Sequence, residues 1–174
     1  MTDIELKSIM CARDMRKRII SDGIIDEDTK KIDYNVLTYV VNMNGGNIFF
    51  DNNHISYFQK KKDGSFDINI SNDIAEEDKI ITILQGIAVR LFAFDNLSCD
   101  KIIRFKDYNF VNDFKYRSKE DLMAIYLFAR EFLMPRELFK DSIEYNIGDL
   151  KKVAVDFNTS YQKVLARKED FELE

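Results

Sequence analysis

Hydrophobic residues recur along the first half of the chain with two different periods, and each period predicts a different element. From Asp3 to Ser21 the apolar residues fall about every third or fourth position among charges, which predicts an amphipathic helix. Asp33 is placed to cap a second, shorter helix that ends at the Asn-Gly-Gly turn of residues 44–46. Three short segments rich in β-branched and aromatic residues follow, at Asn47–Asp51, Ile55–Gln59 and Ser65–Ile70.

The last two of these segments predict a hairpin, because the Lys-Lys-Lys-Asp-Gly sequence of residues 60–64 between them favours a turn. We therefore expect a small, mainly antiparallel sheet. In the segment 65–70 apolar and polar residues alternate, so one face should pack against the core and the other should stay polar.

The second half of the chain is predicted to be helical. Asn72 or Asp73 can cap a central helix, and a later helix starting at Ser118 is apolar nearly all round and should be buried. Pro135 ends that helix and can take the first position of the next. The expected helices are a central one of about 75–94, the buried one before Pro135, a short one at 136–142, and a closing pair at 149–157 and 160–168, the last capped by Thr159 and Gln162.

Length and composition indicate one domain of the α+β class, a small sheet with the long helices packed on one side. The chain has 174 residues, is 45% hydrophobic and contains one proline, which suits a single folded core. We expect one domain over residues 1–174, in which 1–30 form an N-terminal helix, 31–142 the core and 143–174 a C-terminal helix pair.

Charge and ligand counts restrict the chemistry. A net charge of -5 gives a field that repels phosphate, so a nucleic-acid partner needs a local basic patch. One histidine, His54, and two separate cysteines, Cys11 and Cys99, cannot supply the usual zinc ligand set. The N-terminus lacks a secretory pattern, and the apolar stretch 80–94 is too short and polar for a membrane span, so we expect a cytoplasmic protein with no membrane partner.

Three blocks of sequence carry a resemblance to a known family. They are Gly64–Ile70 followed by Ile80–Val89, then Phe128-Ala-Arg-Glu-Phe-Leu-Met-Pro135, and finally Leu150–Ser160 with Val164–Arg167. The first is similar to the strand and HExxH helix of the ImmA/IrrE-type metallopeptidases, the second to their FAxxLLMP signature, and the third to their closing helix pair. The resemblance extends over roughly residues 35–168, and it implies a metallopeptidase-like fold.

The resemblance breaks at the residues that carry the family's chemistry. Two histidines four apart bind zinc there, and the glutamate beside the first activates the metal-bound water. The corresponding positions here are Gln85, Gly86 and Val89, none of which can bind zinc or take a proton. The family's third ligand, a glutamate on the next helix, falls at Ala124, or at Glu120 if the register shifts by four. A chain with one histidine cannot form HExxH in any register.

The resemblance with this departure implies a proteolytically inactive relative, with no catalytic residues, no metal ligands and no cofactor. Family members act on helix-turn-helix repressors in bacteria and mobile elements, so we expect binding of such a regulator, or of another protein, without cleavage. Two interpretations of Gln85, Gly86, Val89 and Ala124 stay open: a vestigial cleft reused for a partner, or core positions filled after zinc was lost. A carboxylate-held metal is a further alternative, but the acidic residues 76–78 lie in the first turn of their helix, remote from this site.

Nucleic-acid binding through residues 101–119 is the main alternative function. This segment carries six cations, two anions and five aromatic rings, a combination used by single-strand binders. The candidate contacts are Arg104, Lys106, Lys115 and Arg117. The competing interpretation is a strand or loop with its rings inward. DNA reading by the closing helix pair is disfavoured because residues 149–174 hold five cations against six anions, and no nucleophile with a base is visible for an unrelated enzyme.

Overall fold

The computed structural model describes residues 2–92, 99, 102–105 and 119–172, without the side chains of 119, 121 and 172. The chain order is α1 (Asp3–Ser21), α2 (Tyr34–Met43), β1 (Gly46–Asp51), β2 (Ser56–Lys60), β3 (Phe66–Ser71), α3 (Glu76–Phe92), β4 (Ile102–Phe105), α4 (Lys119–Leu133), α5 (Arg136–Tyr145), α6 (Leu150–Asp156) and α7 (Tyr161–Glu172). The expected α+β architecture is therefore confirmed.

The starts of the first two helices follow from local caps, whereas the hydroxyl of Thr159, the predicted cap of the last helix, has no hydrogen-bond partner among the described residues. Thr2 and Glu5 form a reciprocal capping box at α1, and Asp33 accepts a hydrogen bond from the Val36 backbone N–H at 3.0 Å. These contacts confirm the starts of the first two helices. Pro135 differs from the prediction, since it is the N-cap of α5 and not its first residue. Its missing N–H costs nothing at that position, because the first N–H groups of a helix have no acceptor within the helix.

The four strands form one mixed sheet in the order β1-β3-β2-β4. The predicted hairpin is confirmed, since β2 and β3 pair antiparallel, and β4 pairs antiparallel with the other side of β2. β1 pairs in parallel with β3, with Gly46 opposite Phe66. The sequence did not indicate this parallel pair, because strands adjacent in the chain usually pair with each other and here β3 lies between β1 and β2.

The predicted alternation is present, with polar residues on one face of β3, but all six residues of the strand are buried, so that polar face is not exposed to solvent. Asp67, Asn69 and Ser71 lie on that face but are covered by the flanking strands. Lys61 contacts Asp67 at 2.8 Å, and the Ser71 backbone N–H donates to the Ser56 hydroxyl at 2.9 Å. The strand lies between two neighbours, and their long side chains close over its short polar ones.

The opposite face of the sheet forms the core with the helices. Its residues Phe58, Phe66, Ile68, Ile70 and Ile103 are at most 3% exposed. Gly46 has no side chain because the Phe66 ring occupies that space: a Cβ there would lie 2.3 Å from the ring. The apolar face of β3 is therefore the part of the sheet against which α3 packs.

Candidate functional site

The central helix α3 is set against the sheet by its glycine. A Cβ on Gly86 would lie 2.6 Å from the Ile68 side chain of β3, so any larger residue would have to displace that isoleucine. Gly86 therefore allows a close helix-strand approach, at a position where glycine otherwise costs a helix about 1 kcal/mol relative to alanine. The atoms that a Cβ on Gly86 would meet belong to the side chain of Ile68 and not to the backbone of a neighbouring helix.

A cleft of about 470 Å³ opens beside α3, between it and helices α4 and α7. The described lining residues are Ile81 and Gln85 of α3, Tyr126 and Arg130 of α4, and Ser160, Gln162, Lys163 and Ala166 at and just before the start of α7. Most of the elements that carry the family resemblance thus meet at one cavity. Its volume is within the usual range for small-ligand sites.

Gln85 is the buried polar group of this cleft. Its side chain is 2% exposed, and its Nε2 has no hydrogen-bond partner among the described residues. A buried amide donor without an acceptor costs about 1–3 kcal/mol of desolvation free energy. The resemblance predicts that this residue lies at the position of the family's first zinc-binding histidine.

Two cationic side chains that line the cleft form ion pairs with carboxylates of neighbouring residues. Arg130 donates through Nη1 to Asp170 at 2.8 Å and to the Ala166 carbonyl at 3.2 Å. The Lys163 ammonium contacts Asp78 at 2.6 Å, which joins the start of α7 to the first turn of α3. These pairs fix the positions of the two cationic side chains along the cleft wall.

A buried charged cluster lies beside the cleft, at the C-terminus of α4. Arg167 is fully buried, contacts Glu131, and donates from Nε to the Met134 carbonyl at 3.0 Å. Arg16 of α1 donates to the Phe132 carbonyl at 2.9 Å. The last carbonyls of a helix have no N–H donor within the helix, and these two arginines donate to them. The cluster holds α1, α4 and α7 together.

Burial has a measurable electrostatic consequence in this cluster. Desolvation lowers the pKa of Arg16 to about 10, although the Glu131 carboxylate opposes that shift. Desolvation likewise lowers the pKa of Arg167 and raises the pKa of Asp170. The attraction between these two opposite charges acts in the other direction on both pKa values but is smaller. Each charged form is disfavoured by the loss of water, so the pairing offsets a cost that burial creates.

The four positions singled out from the resemblance have different surroundings. Gln85 lines the cleft, whereas Gly86 contacts β3 and Val89 is fully buried. Ala124 is also fully buried, and its carbonyl accepts a hydrogen bond from Ser8 of α1. The α4 residue that lines the cleft nearest in sequence is Tyr126, which an α-helix places about 200° around its axis from Ala124.

The family's zinc was tested against this donor set, and it does not fit. The amide of Gln85 is a poor zinc ligand, Val89 offers no donor atom, and Gly86 has no side chain. Among the described residues no three His, Cys, Asp or Glu side chains are grouped as metal ligands. No reaction step is therefore derived through a metal.

The remaining candidates lie apart from the cleft or outside the described residues. His54 is exposed, and its Nδ1 lies 2.7 Å from Asp73 beside a surface groove that Arg104 also lines. Arg104 is exposed on β4, opposite Tyr57. The other basic candidates, Lys106, Lys115 and Arg117, lie outside the described residues.

Sequence reasoning missed most of the cleft. The predictions place Tyr126 in the apolar run of the buried helix, count Lys163 only among the charges of the closing helix pair, and give Arg130 no role. The spacing of four between Tyr126 and Arg130, which puts both on one helix face, was the signal available. Which partner that face meets depends on α7, whose position no local pattern specifies.

These features define an α+β metallopeptidase-like domain: a central helix on a small sheet, followed by a buried helix that ends in Met134-Pro135. The family model of the IrrE N-terminal-like domain, Peptidase_M78, matches residues 67–168. That match covers more than half of the chain, so the chain belongs to this family. Comparison with curated proteins gave no significant match, and comparison with solved structures gave none either. No helix within the described ranges has the length and hydropathy of a membrane span.

Proposed function

We propose that this chain is a non-catalytic member of the IrrE-like family that acts in the cytoplasm by binding another protein without cutting it. The partner class that the family suggests is a helix-turn-helix repressor or similar regulator of transcription, in a bacterial, phage or mobile-element setting. One domain over residues 1–174 carries this activity.

One observation supports the proposal most directly: a cleft lies at the position where the resemblance predicts the loss of zinc chemistry. Gln85, which is predicted to stand in place of a zinc-binding histidine, lines a cavity of about 470 Å³. Had the site become ordinary core, an apolar residue would cost less there than an amide whose Nε2 is unpartnered among the described residues. Retention of both the cavity and the polar group favours the reuse of this site for binding.

The test uses the purified full-length chain and a labelled regulator from the native host. We expect no stoichiometric zinc by elemental analysis, and recovery of the regulator at its unchanged mass after capture. Ala166→Phe should block the cleft and abolish capture, while the matched change Val155→Phe, at an exposed position of α6, should leave capture intact. One bound zinc per chain, a cleaved partner, or capture that survives cleft blockage would each contradict the proposal.

A further inference from the structure

The cleft presents hydrogen-bond donors from three directions. Gln85 Nε2 is buried on α3 and unpartnered among the described residues. On α4, Arg130 lines the cleft while its Nη1 is paired with Asp170 and donates to the Ala166 carbonyl. Lys163 adds a second cation. No carboxylate is present among the described residues that line the cleft, so an acceptor entering it meets donors and cations.

The start of α7 faces the same cavity. This helix runs from Tyr161 to Glu172, and Ser160, Gln162 and Lys163 at its beginning line the cleft. The first N–H groups of a helix carry partial positive charge and lack acceptors within the helix, which favours a negative group. The buried Gln85 amide is an independent feature of another helix, and it faces the same space.

The rest of the wall is apolar. Ile81, Ala166 and the ring of Tyr126 line the cleft beside the donors. A bare inorganic anion would leave this surface in contact with water, whereas a ligand with an apolar body would cover it. The wall therefore favours an organic acid group attached to a small apolar stem.

We propose that this cleft binds a peptide carboxylate, with the acid group at Gln85 and the start of α7 and its apolar stem against Ile81 and Ala166. The carboxylate is either the C-terminus of a protein chain or the side chain of an acidic residue, and the chemistry of recognition is the same for both. This inference rests on the proposed function, because it takes the ligand to be part of a protein partner.

The experiment titrates small peptide probes into the isotopically labelled full-length chain and follows the side-chain amide resonance of Gln85 by NMR. N-acetyl-leucine supplies a terminal carboxylate and N-acetyl-glutamic acid α-amide a side-chain carboxylate. N-acetyl-leucinamide and N-acetyl-glutaminamide are their neutral counterparts. We expect at least one acid to shift the Gln85 amide and the backbone amides of 161–163, with affinity about tenfold above that of its neutral counterpart.

Which acid binds identifies the source of the carboxylate. Equal binding of acids and neutral probes would overturn the inference, and so would the absence of any Gln85 shift at high millimolar probe. Gln85→Leu should weaken acid binding about tenfold or more, and Gln85→Glu should abolish it through like-charge repulsion. The matched change Gln59→Leu on β2 should leave binding unchanged. The melting temperature of each variant shows that the fold is retained.

Failure of this inference is distinguishable from failure of the proposed function. If an intact regulator is captured equally by the native chain and by Gln85→Leu, the protein-binding function stands and carboxylate recognition is wrong. If the acid probes bind at Gln85 but no regulator is captured, carboxylate recognition stands and the proposed protein-binding function is wrong.

Discussion

Two neighbouring regions between α4 and α7 differ in whether a buried polar side chain has a partner within the protein. At the C-terminus of α4, Arg167 is fully buried, yet it contacts Glu131 and caps the Met134 carbonyl. At the N-terminus of α7, the cleft leaves the amide of Gln85 buried with its Nε2 unpartnered among the described residues. The same pair of helices contributes to both regions.

The difference separates a structural polar group from one available to a ligand. Arg167 contacts the Glu131 carboxylate, and its Nη1 is 3.7 Å from Asp170, although Nη1 and Asp170 Oδ2 form no hydrogen bond among the described residues. Its pairing offsets desolvation within the protein itself. The amide of Gln85 has no such compensation among the described residues, so it lowers stability unless something else supplies an acceptor. The cluster should therefore be sensitive to truncation, and Gln85 should tolerate it.

The largest expected effect is in the cluster. Arg167→Ala leaves Glu131, which is 1% exposed, with only the partly exposed Arg13 as a partner, and uncaps the Met134 carbonyl. We expect a loss of about 3–5 kcal/mol in the free energy of unfolding, measured by urea denaturation. The double variant Arg167→Leu with Glu131→Leu should recover much of that loss, because it removes both charges. A cost below about 1 kcal/mol for the single change would contradict this account.

The next largest effect is expected at the contact between Gly86 of α3 and Ile68 of β3. Gly86→Ala places a Cβ within 2.6 Å of Ile68 Cδ1 and should destabilise the fold by about 1–3 kcal/mol, reduced by alanine's better helix propensity. Ile68→Val removes that methyl group. The double variant should then lose less stability than the two single changes added together, as measured by a double-mutant cycle in urea. Simple additivity would show that Gly86 is retained for another reason.

Gln85→Met should act in the opposite direction from Arg167→Ala. Methionine has a similar volume and no unpaired donor, so the free energy of unfolding should rise by about 1 kcal/mol. The matched change Gln59→Met lies on β2, away from the cleft lining, and should not stabilise. If Gln85→Met destabilises the fold by about 1 kcal/mol or more, the buried amide is structural and the contrast between the two regions fails.

The smallest effect comes from a partly exposed polar cluster between α5 and α6. The Ser142 hydroxyl donates to Asp156 at 2.6 Å, and this bond is the main reason that the pKa of Asp156 lies below its ordinary 3.8. A lowered pKa gives stability that is present above 3.8 and lost as the pH falls through the folded value.

Ser142→Ala should therefore cost about 1 kcal/mol at neutral pH and flatten the acid side of the stability profile. The matched change Ser65→Ala removes a 2.6 Å bond to Asp63 in an exposed turn and should have a smaller effect. Equal effects of the two changes in pH-dependent thermal denaturation would show that burial does not separate them.

Local pattern and resemblance predicted most elements of this fold. Helix starts depend on caps such as Asp33, and the β2–β3 hairpin depends on a turn of adjacent residues, so both are encoded within a few positions. The parallel pairing of β1 with β3 was not predicted, and neither was the burial of Asp67. Each depends on which strand lies alongside, and the sequence pattern of a single strand does not specify its neighbour.

The candidate site divides in the same way. Sequence alone determined that an HExxH zinc site is impossible, because one histidine in the chain excludes it in every register, and the resemblance predicted Gln85 as the changed position. Tertiary structure decided that Gln85 faces a cavity with Tyr126 and Arg130 while Val89 is buried. Composition determines which ligand side chains the chain contains. A cleft between three helices depends instead on packing between segments that are far apart in the sequence, which no local pattern specifies.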